Sequence, residues 1–204
     1  MLRHLVRVVC AVGVAAAVWL GSGVIANAAT FGPAPNSEAI GDSLAASYCT
    51  QTGGEPVKRV PVYGSNASSL LFLSGTKTFC KYTSASDGSR IHILIETLYT
   101  KKPSLAALAY YAAPALGKGC NGNPASCYCT QLGGSDVFGG ANDPAGGGWY
   151  NQNDYPDQTL EACIFPDMSS IDSWGLAYYS AGIIRGVDLS TVMRYPNPFT
   201  NKKR

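Results

Sequence analysis

A short phrase occurs twice in this chain, and the repetition constrains the fold more than any other feature. Ala46-Ser-Tyr-Cys-Thr-Gln-Thr-Gly-Gly54 is echoed by Ala125-Ser-Cys-Tyr-Cys-Thr-Gln-Leu-Gly-Gly134. Further on, Cys80 answers to Cys163, and the stretch Pro103 to Pro114 answers to Val187 to Pro198. The partners keep nearly constant spacing, which predicts a tandem duplication of one module. The first module spans 37–114, the linker 115–123 and the second module 124–198.

The chain opens on Arg3, His4 and Arg7, followed by an apolar run from Val8 to Leu20, a Gly21-Ser-Gly23 break and small residues at Ala26-Asn-Ala28. That order predicts a secretory signal peptide over 1–28, cleaved after Ala28. An uncleaved anchor is disfavoured because the run falls short of the ~20 apolar residues of a spanning helix. Residues 29–36 form a Pro- and Gly-containing leader, and 199–204 a basic tail. The full sequence carries 15 basic and 13 acidic residues. Loss of Arg3 and Arg7 with the signal leaves the exported chain formally neutral, without the field that attracts nucleic acid.

Six cysteines remain beyond the signal: Cys49, Cys80, Cys120, Cys127, Cys129 and Cys163. An even number in an exported chain reads as a disulfide framework. If the modules fold alike, Cys49 pairs with Cys80 and Cys129 with Cys163, leaving Cys120 for Cys127. Each long loop would contribute roughly 3–4 kcal/mol by the chain-entropy estimate. The rival is a metal site at Cys120, Cys127 and Cys129. A single remaining histidine, His92, and an oxidising compartment disfavour it.

Local signals give an α+β pattern in each module: a short helix, a small antiparallel sheet and a second short helix. The first helix runs from Ser37 to Thr52 and stops at Gly53-Gly54, since glycine takes the left-handed conformation at low cost. Strands are expected at Val57–Tyr63, Ser69–Leu73 and Thr76–Tyr82. A further strand over Arg90–Thr100 places Ile91, Ile93 and Ile95 on one face. Pro103 opens a helix through Tyr111. In the second module a shorter helix begins at Pro124 and ends at Gly133-Gly134. A mobile loop covers Gly139–Asp157, and strands follow at Leu160–Pro166 and Trp174–Tyr179. Asp188 caps a final short helix. The pattern leaves open whether the modules share one core.

The second module, with Asn123-Pro-Ala-Ser-Cys-Tyr-Cys-Thr-Gln-Leu-Gly-Gly134 and Cys163-Ile-Phe-Pro-Asp-Met-Ser-Ser-Ile-Asp-Ser-Trp174, resembles the bacterial domain-of-unknown-function 333 family. The first module keeps Tyr-Cys and Gly-Gly but lacks Asn-Pro, Phe-Pro and the tryptophan. The resemblance implies an exported domain without an assigned activity; some family members carry a haemolysin label.

Catalytic signatures are weak. His-Glu-x-x-His, Gly-x-Ser-x-Gly and a Walker loop are missing, and Ser74-Gly-Thr-Lys77 matches Ser-x-x-Lys only in spelling. His92, with Glu96 farther along the same predicted strand face, reads as a surface histidine rather than a base. Asp143, Asn151, Asn153, Asp154 and Asp157 lack the order of a calcium loop and read as turn formers. Asn66-Ala-Ser68 has the spelling of a glycosylation acceptor. No catalytic residue, metal or cofactor is expected. Trp149, Tyr150 and Tyr155 lie amid Gly and Asn, away from any apolar period, and are the candidate binding residues. Trp174 reads as core.

The sequence thus points to a secreted or periplasmic, non-catalytic binding module. Its partner would be a protein or a glycan, and the exported chain would hold no stable membrane span. The alternatives are a membrane-damaging protein, which would need an amphipathic helix or barrel strands, and a small hydrolase with an unrecognised site.

Overall fold

The computed structural model describes residues 37–64, 70–136 and 147–200. The signal, the leader, Asn66-Ala-Ser68, Asp143 with the first part of the expected Gly-rich loop, and residues 201–204 lie outside the described residues.

Helix α1 (Ser37–Gln51) leads into β1 (Glu55–Tyr63), β2 (Leu71–Phe72), β3 (Lys77–Thr83) and β4 (Arg90–Leu94). Helices α2 (Ile95–Tyr99), α3 (Leu105–Ala112) and α4 (Pro124–Gln131) follow. Then come β5 (Ser135–Asp136), β6 (Gly147–Tyr150), β7 (Thr159–Leu160), β8 (Ala162–Ile164), β9 (Ser170–Asp172) and α5 (Ser173–Ser180), and a 3-10 turn at Leu189–Thr191. All strand pairs are antiparallel, in the order β5-β8-β9-β4-β3-β1-β6-β7, with β2 beside β1. The architecture is mixed helix and curled antiparallel sheet.

Strand β1 accounts for the curl. Its first half, Glu55–Arg59, pairs with β3, while Val60–Tyr63 pairs with β6 and its last two residues also with β2. Pro56 and Pro61 lie in it and cannot donate to a ladder, which suits a strand that changes neighbours along its length.

One face of the sheet carries the helices. Cys80, Tyr82, Ile91, Ile93, Cys163 and Ile171 from the strands pack with Leu98, Tyr110, Tyr128 and Leu176 from the helices into one buried cluster. Residues of both halves contribute to this cluster, and the described residues form one compact unit. At its centre Cys80 stands opposite Ile93, Ile93 opposite Ile171, and Ile171 opposite Cys163.

The three disulfides are Cys49–Cys80, Cys120–Cys127 and Cys129–Cys163. The two long ones each tie a helix, α1 or α4, to a strand in the row just described. Gly54 and Gly134 make this approach feasible. A Cβ at Gly54 would stand 3.0 Å from the Cys49 sulfur and closer still to that of Cys80. A Cβ at Gly134 would meet Cys129 and Cys163 in the same way. The repeated Gly-Gly therefore ends each helix and also clears room for a disulfide.

Four expectations need correction. The strand from Arg90 ends at Leu94, and Ile95–Tyr99 is helical. Ile95, Leu98 and Tyr99 are spaced i, i+3, i+4, so an apolar pattern that suits a strand suits a helix equally, and packing against α1 decides between them. Trp174–Tyr179 belongs to helix α5, where Leu176 and Tyr179 are buried and Asp172 Oδ1 accepts from Gly175 N at 3.0 Å. The strand paired with β4 is the shorter β9. Residues 147–150 of the expected loop form strand β6, which pairs with β1 and β7. Pro103 precedes α3 rather than opening it; Ser104 caps that helix, its Oγ accepting from Ala107 N at 3.3 Å.

Candidate functional site

On the face of the sheet away from the large core, alternate residues of four strands carry charge. Period-two geometry places Glu55, Val57 and Arg59 of β1 on this side, together with Phe79 and Lys81 of β3, His92 and Leu94 of β4, and Asp172 of β9. Lys81 faces Glu55 on one neighbour and His92 on the other. Strands β6 and β7 curl over part of this face. Trp149 packs there with Phe79, Leu94, Leu160 and Ala162 in a second small core, its ring centroid 5.8 Å from that of Phe79.

The turn from β6 to β7 folds onto the charged residues. Its shape is set locally: Asn151 N donates to Gln158 O at 2.8 Å, and Asn153 N to Asn151 Oδ1 at 2.8 Å. The turn delivers Asp154 to the sheet, where its carboxylate pairs with Arg59 and with Lys81 Nζ at 2.8 Å. Lys81 also reaches Glu55 at 2.7 Å. Arg59 further donates to the carbonyls of Trp149 at 3.0 Å and Asp157 at 2.9 Å, so one buried guanidinium holds both arms of the turn.

His92 is 1 % exposed. Arg59 Nη2 lies 3.3 Å from its Nε2. Asp154 Oδ2 lies 3.5 Å from the same nitrogen, so Nε2 faces a donor and an acceptor at once. Nδ1 in turn faces Asp172 Oδ2 at 3.6 Å.

Burial opposes ionisation of Asp154. Hydrogen bonds from His92 and Lys81 and the Arg59 charge outweigh it and hold the carboxyl well below the usual range. Burial lowers the Arg59 guanidinium from its ordinary value, against the pull of Asp154, Asp157 and Asp172. Burial also acts against the Lys81 ammonium, yet its hydrogen bonds to Asp154 and Glu55 raise it overall.

Beside this network opens a cleft of about 210 Å³, lined among others by Arg90, Asp157, Glu161, Asp172, Trp174 and Arg185, with His92 and Pro156 also on its wall. Arg90 pairs with Asp157 at 3.3 Å. Glu161 accepts from Asn123 Nδ2 at 2.9 Å, and the Arg185 guanidinium lies 5.1 Å from the centre of the Tyr178 ring. Trp174 divides this polar cleft from an apolar one of about 490 Å³, lined by Leu116, Ala177, Tyr178 and Ile183 among others.

The sequence-based candidates fall in different places. Trp149 is largely covered and serves the small core, because the strand that carries it is clamped between β1 and β7. Tyr150 is partly covered and meets Phe72 edge-on, with centroids 5.5 Å apart. Tyr155 is 81 % exposed and directly precedes Pro156 of the cleft wall. His92 is buried rather than on the surface, and Glu96 lies exposed on α2, so the two do not form a pair. Ser74 and Lys77 flank the turn between β2 and β3. Asp154 points into the ion-pair network. Among the described residues no group of three or more His, Cys, Asp or Glu side chains is placed to hold a metal ion.

Sequence reasoning missed Arg59, Lys81, Asp172 and Arg185. One signal was present: strand alternation puts Arg59 on the side of Val57 and Pro61, where a cation needs a buried partner. Comparison with protein-family models, curated proteins and solved structures gives no match to this chain.

Proposed function

We propose that this is an exported, non-catalytic binding module of a bacterial envelope or the extracellular medium, built from two copies of a domain resembling the domain-of-unknown-function 333 family. Its ligand-binding place is the cleft between β4, β9 and the β6–β7 turn. The observation that carries this reading is the cleft itself, whose wall combines charged groups already held by partners with a half-buried tryptophan. Groups held before a ligand arrives lose little entropy on binding it, and this suits recognition.

Export is supported by three disulfides, and among the described residues no helix is long and apolar enough to cross a membrane. Binding is favoured over acid–base chemistry because the His92 imidazole is buried, with both nitrogens facing charged side chains.

Affinity capture from envelope extract and spent medium tests the proposal, with the oxidised protein compared against Trp174→Ala and Arg185→Ala. Recovery of one defined molecule, lost in both variants, is the expected result. No captured molecule with the fold intact by circular dichroism would overturn it. Dye release from liposomes by the protein alone would overturn it in favour of the membrane-damaging alternative.

A further inference from the structure

The ligand class can be taken further, on the reading that the polar cleft is the binding place. At about 210 Å³ the cleft is smaller than the ~300 Å³ at which sites for drug-sized molecules begin, so it takes one ring-sized group. Its wall has two characters. Trp174 offers an apolar face beside Pro156 and Leu160, and the charged part of the wall holds both obligate donors and obligate acceptors. Arg90 and Arg185 can only donate; Asp157, Glu161 and Asp172, when ionised, can only accept.

This arrangement discriminates by charge. An anionic ligand would meet three carboxylates, and a cationic one two guanidinium groups, in a cleft where neighbouring protein weakens screening. A neutral group that both donates and accepts meets neither penalty. Hydroxyl groups have this property, each supplying one hydrogen and two lone pairs. A ring that carries several hydroxyls at its edge and C–H groups on its face matches both characters of the wall.

The polar groups are positioned in advance. Asp172 Oδ1 is held by Gly175 N at 3.0 Å, Glu161 Oε2 by Asn123 Nδ2 at 2.9 Å, and Arg90 by Asp157 at 3.3 Å. Arg185 rests over the Tyr178 ring. We therefore propose that the cleft is a subsite for one neutral sugar residue, its C–H face stacked on Trp174 and its hydroxyls bridging the arginines and carboxylates.

The test titrates the oxidised protein with glucose, galactose, mannose and N-acetylglucosamine, followed by saturation-transfer NMR and tryptophan fluorescence. Glucuronate and glucosamine serve as charged counterparts. The expected result is binding of at least one neutral sugar in roughly the millimolar range. It should weaken at least about tenfold in Trp174→Ala, be partly kept in Trp174→Phe, and be weaker for both charged sugars. Arg185→Gln, a milder change at the rim, should weaken it as well and guards against a Trp174 variant that fails to fold.

No binding of any neutral sugar up to about 100 mM, binding indifferent to both Trp174→Ala and Arg185→Gln, or preference for a charged sugar would each overturn the assignment. If sugar binding fails while capture from extract still depends on Trp174, the sugar assignment falls and the binding-module reading stands. If both fail, both fall.

Discussion

Asp136 offers a quantitative test of the structure, because burial has left it a titration that an exposed carboxylate would not show. It lies on β5, 9 % exposed, and accepts from Ser126 Oγ at 2.7 Å. Burial pushes its carboxyl from 3.8 up to about 6; the Ser126 hydrogen bond resists the rise, and the nearby Glu161 charge adds to it. The folded state therefore keeps a proton that the unfolded chain has already released. Stability contributed by this proton is full below about pH 4 and declines as the pH rises, being gone above about pH 6. A rise from 3.8 to about 6 corresponds to about 3 kcal/mol at neutral pH. Asp136→Asn removes the titration while its carbonyl can still accept from Ser126. Urea unfolding with disulfides intact, at a series of pH values, should show the variant gaining on the wild type by about 3 kcal/mol between pH 4 and pH 7, with unchanged denaturant slope. A constant offset from the new amide does not matter, since the readout is the change with pH. A difference that is flat over this range, or that grows toward acid, would refute the reasoning.

Asp154→Asn should cost about 3–5 kcal/mol at neutral pH in the same assay, because it strands buried Arg59 without its counter-charge. The depressed Asp154 carboxyl contributes stability above its ordinary 3.8 and loses it as the pH falls toward its folded value, so the variant's deficit should shrink in acid. A deficit independent of pH would count against that ion pair. Gly54→Ala and Gly134→Ala should each lower stability by about 1–3 kcal/mol by crowding a disulfide; melting temperatures decide this. Trp149→Ala should cost about 2–4 kcal/mol through loss of packing on Phe79 and Leu94. Ligand capture by the fraction that remains folded should be unchanged, and an unaltered melting temperature would restore Trp149 as a surface residue.

Much of the scaffold was legible because its causes are local. The start of α4 can be read at Pro124, just after Asn123, whose Oδ1 the structure shows accepting from Ala125 N at 2.9 Å, and the helix stops can be read at the two Gly-Gly pairs. Strands β1 and β3 fall close to the expected residues. The cysteine pairing follows from the repeat once each module closes its own loop, Cys49 with Cys80 and Cys129 with Cys163, which leaves the unmatched Cys120 and Cys127 for each other. Where a local pattern served two structures the reading went astray. Ile91 to Tyr99 satisfies both strand and helix spacing, and the tryptophan of a Gly- and Asn-rich stretch has the same local signature whether exposed or covered.

The site was not legible, because it depends on contacts between distant parts of the chain. Arg59 and Asp154 are 95 residues apart, and no local rule brings them together. Their meeting requires β1 to bend, β6 to pair with its second half, and the following turn to fold back over the sheet. The sequence by itself determined the disulfide framework, the helix ends and most strand positions, each encoded within a few residues or within one repeated phrase. Only the tertiary structure decided which charged residues are buried together and which tryptophan faces a cleft. Burial and ion pairing depend on strand register and on how the sheet curls, and both are set by the packing of the whole chain.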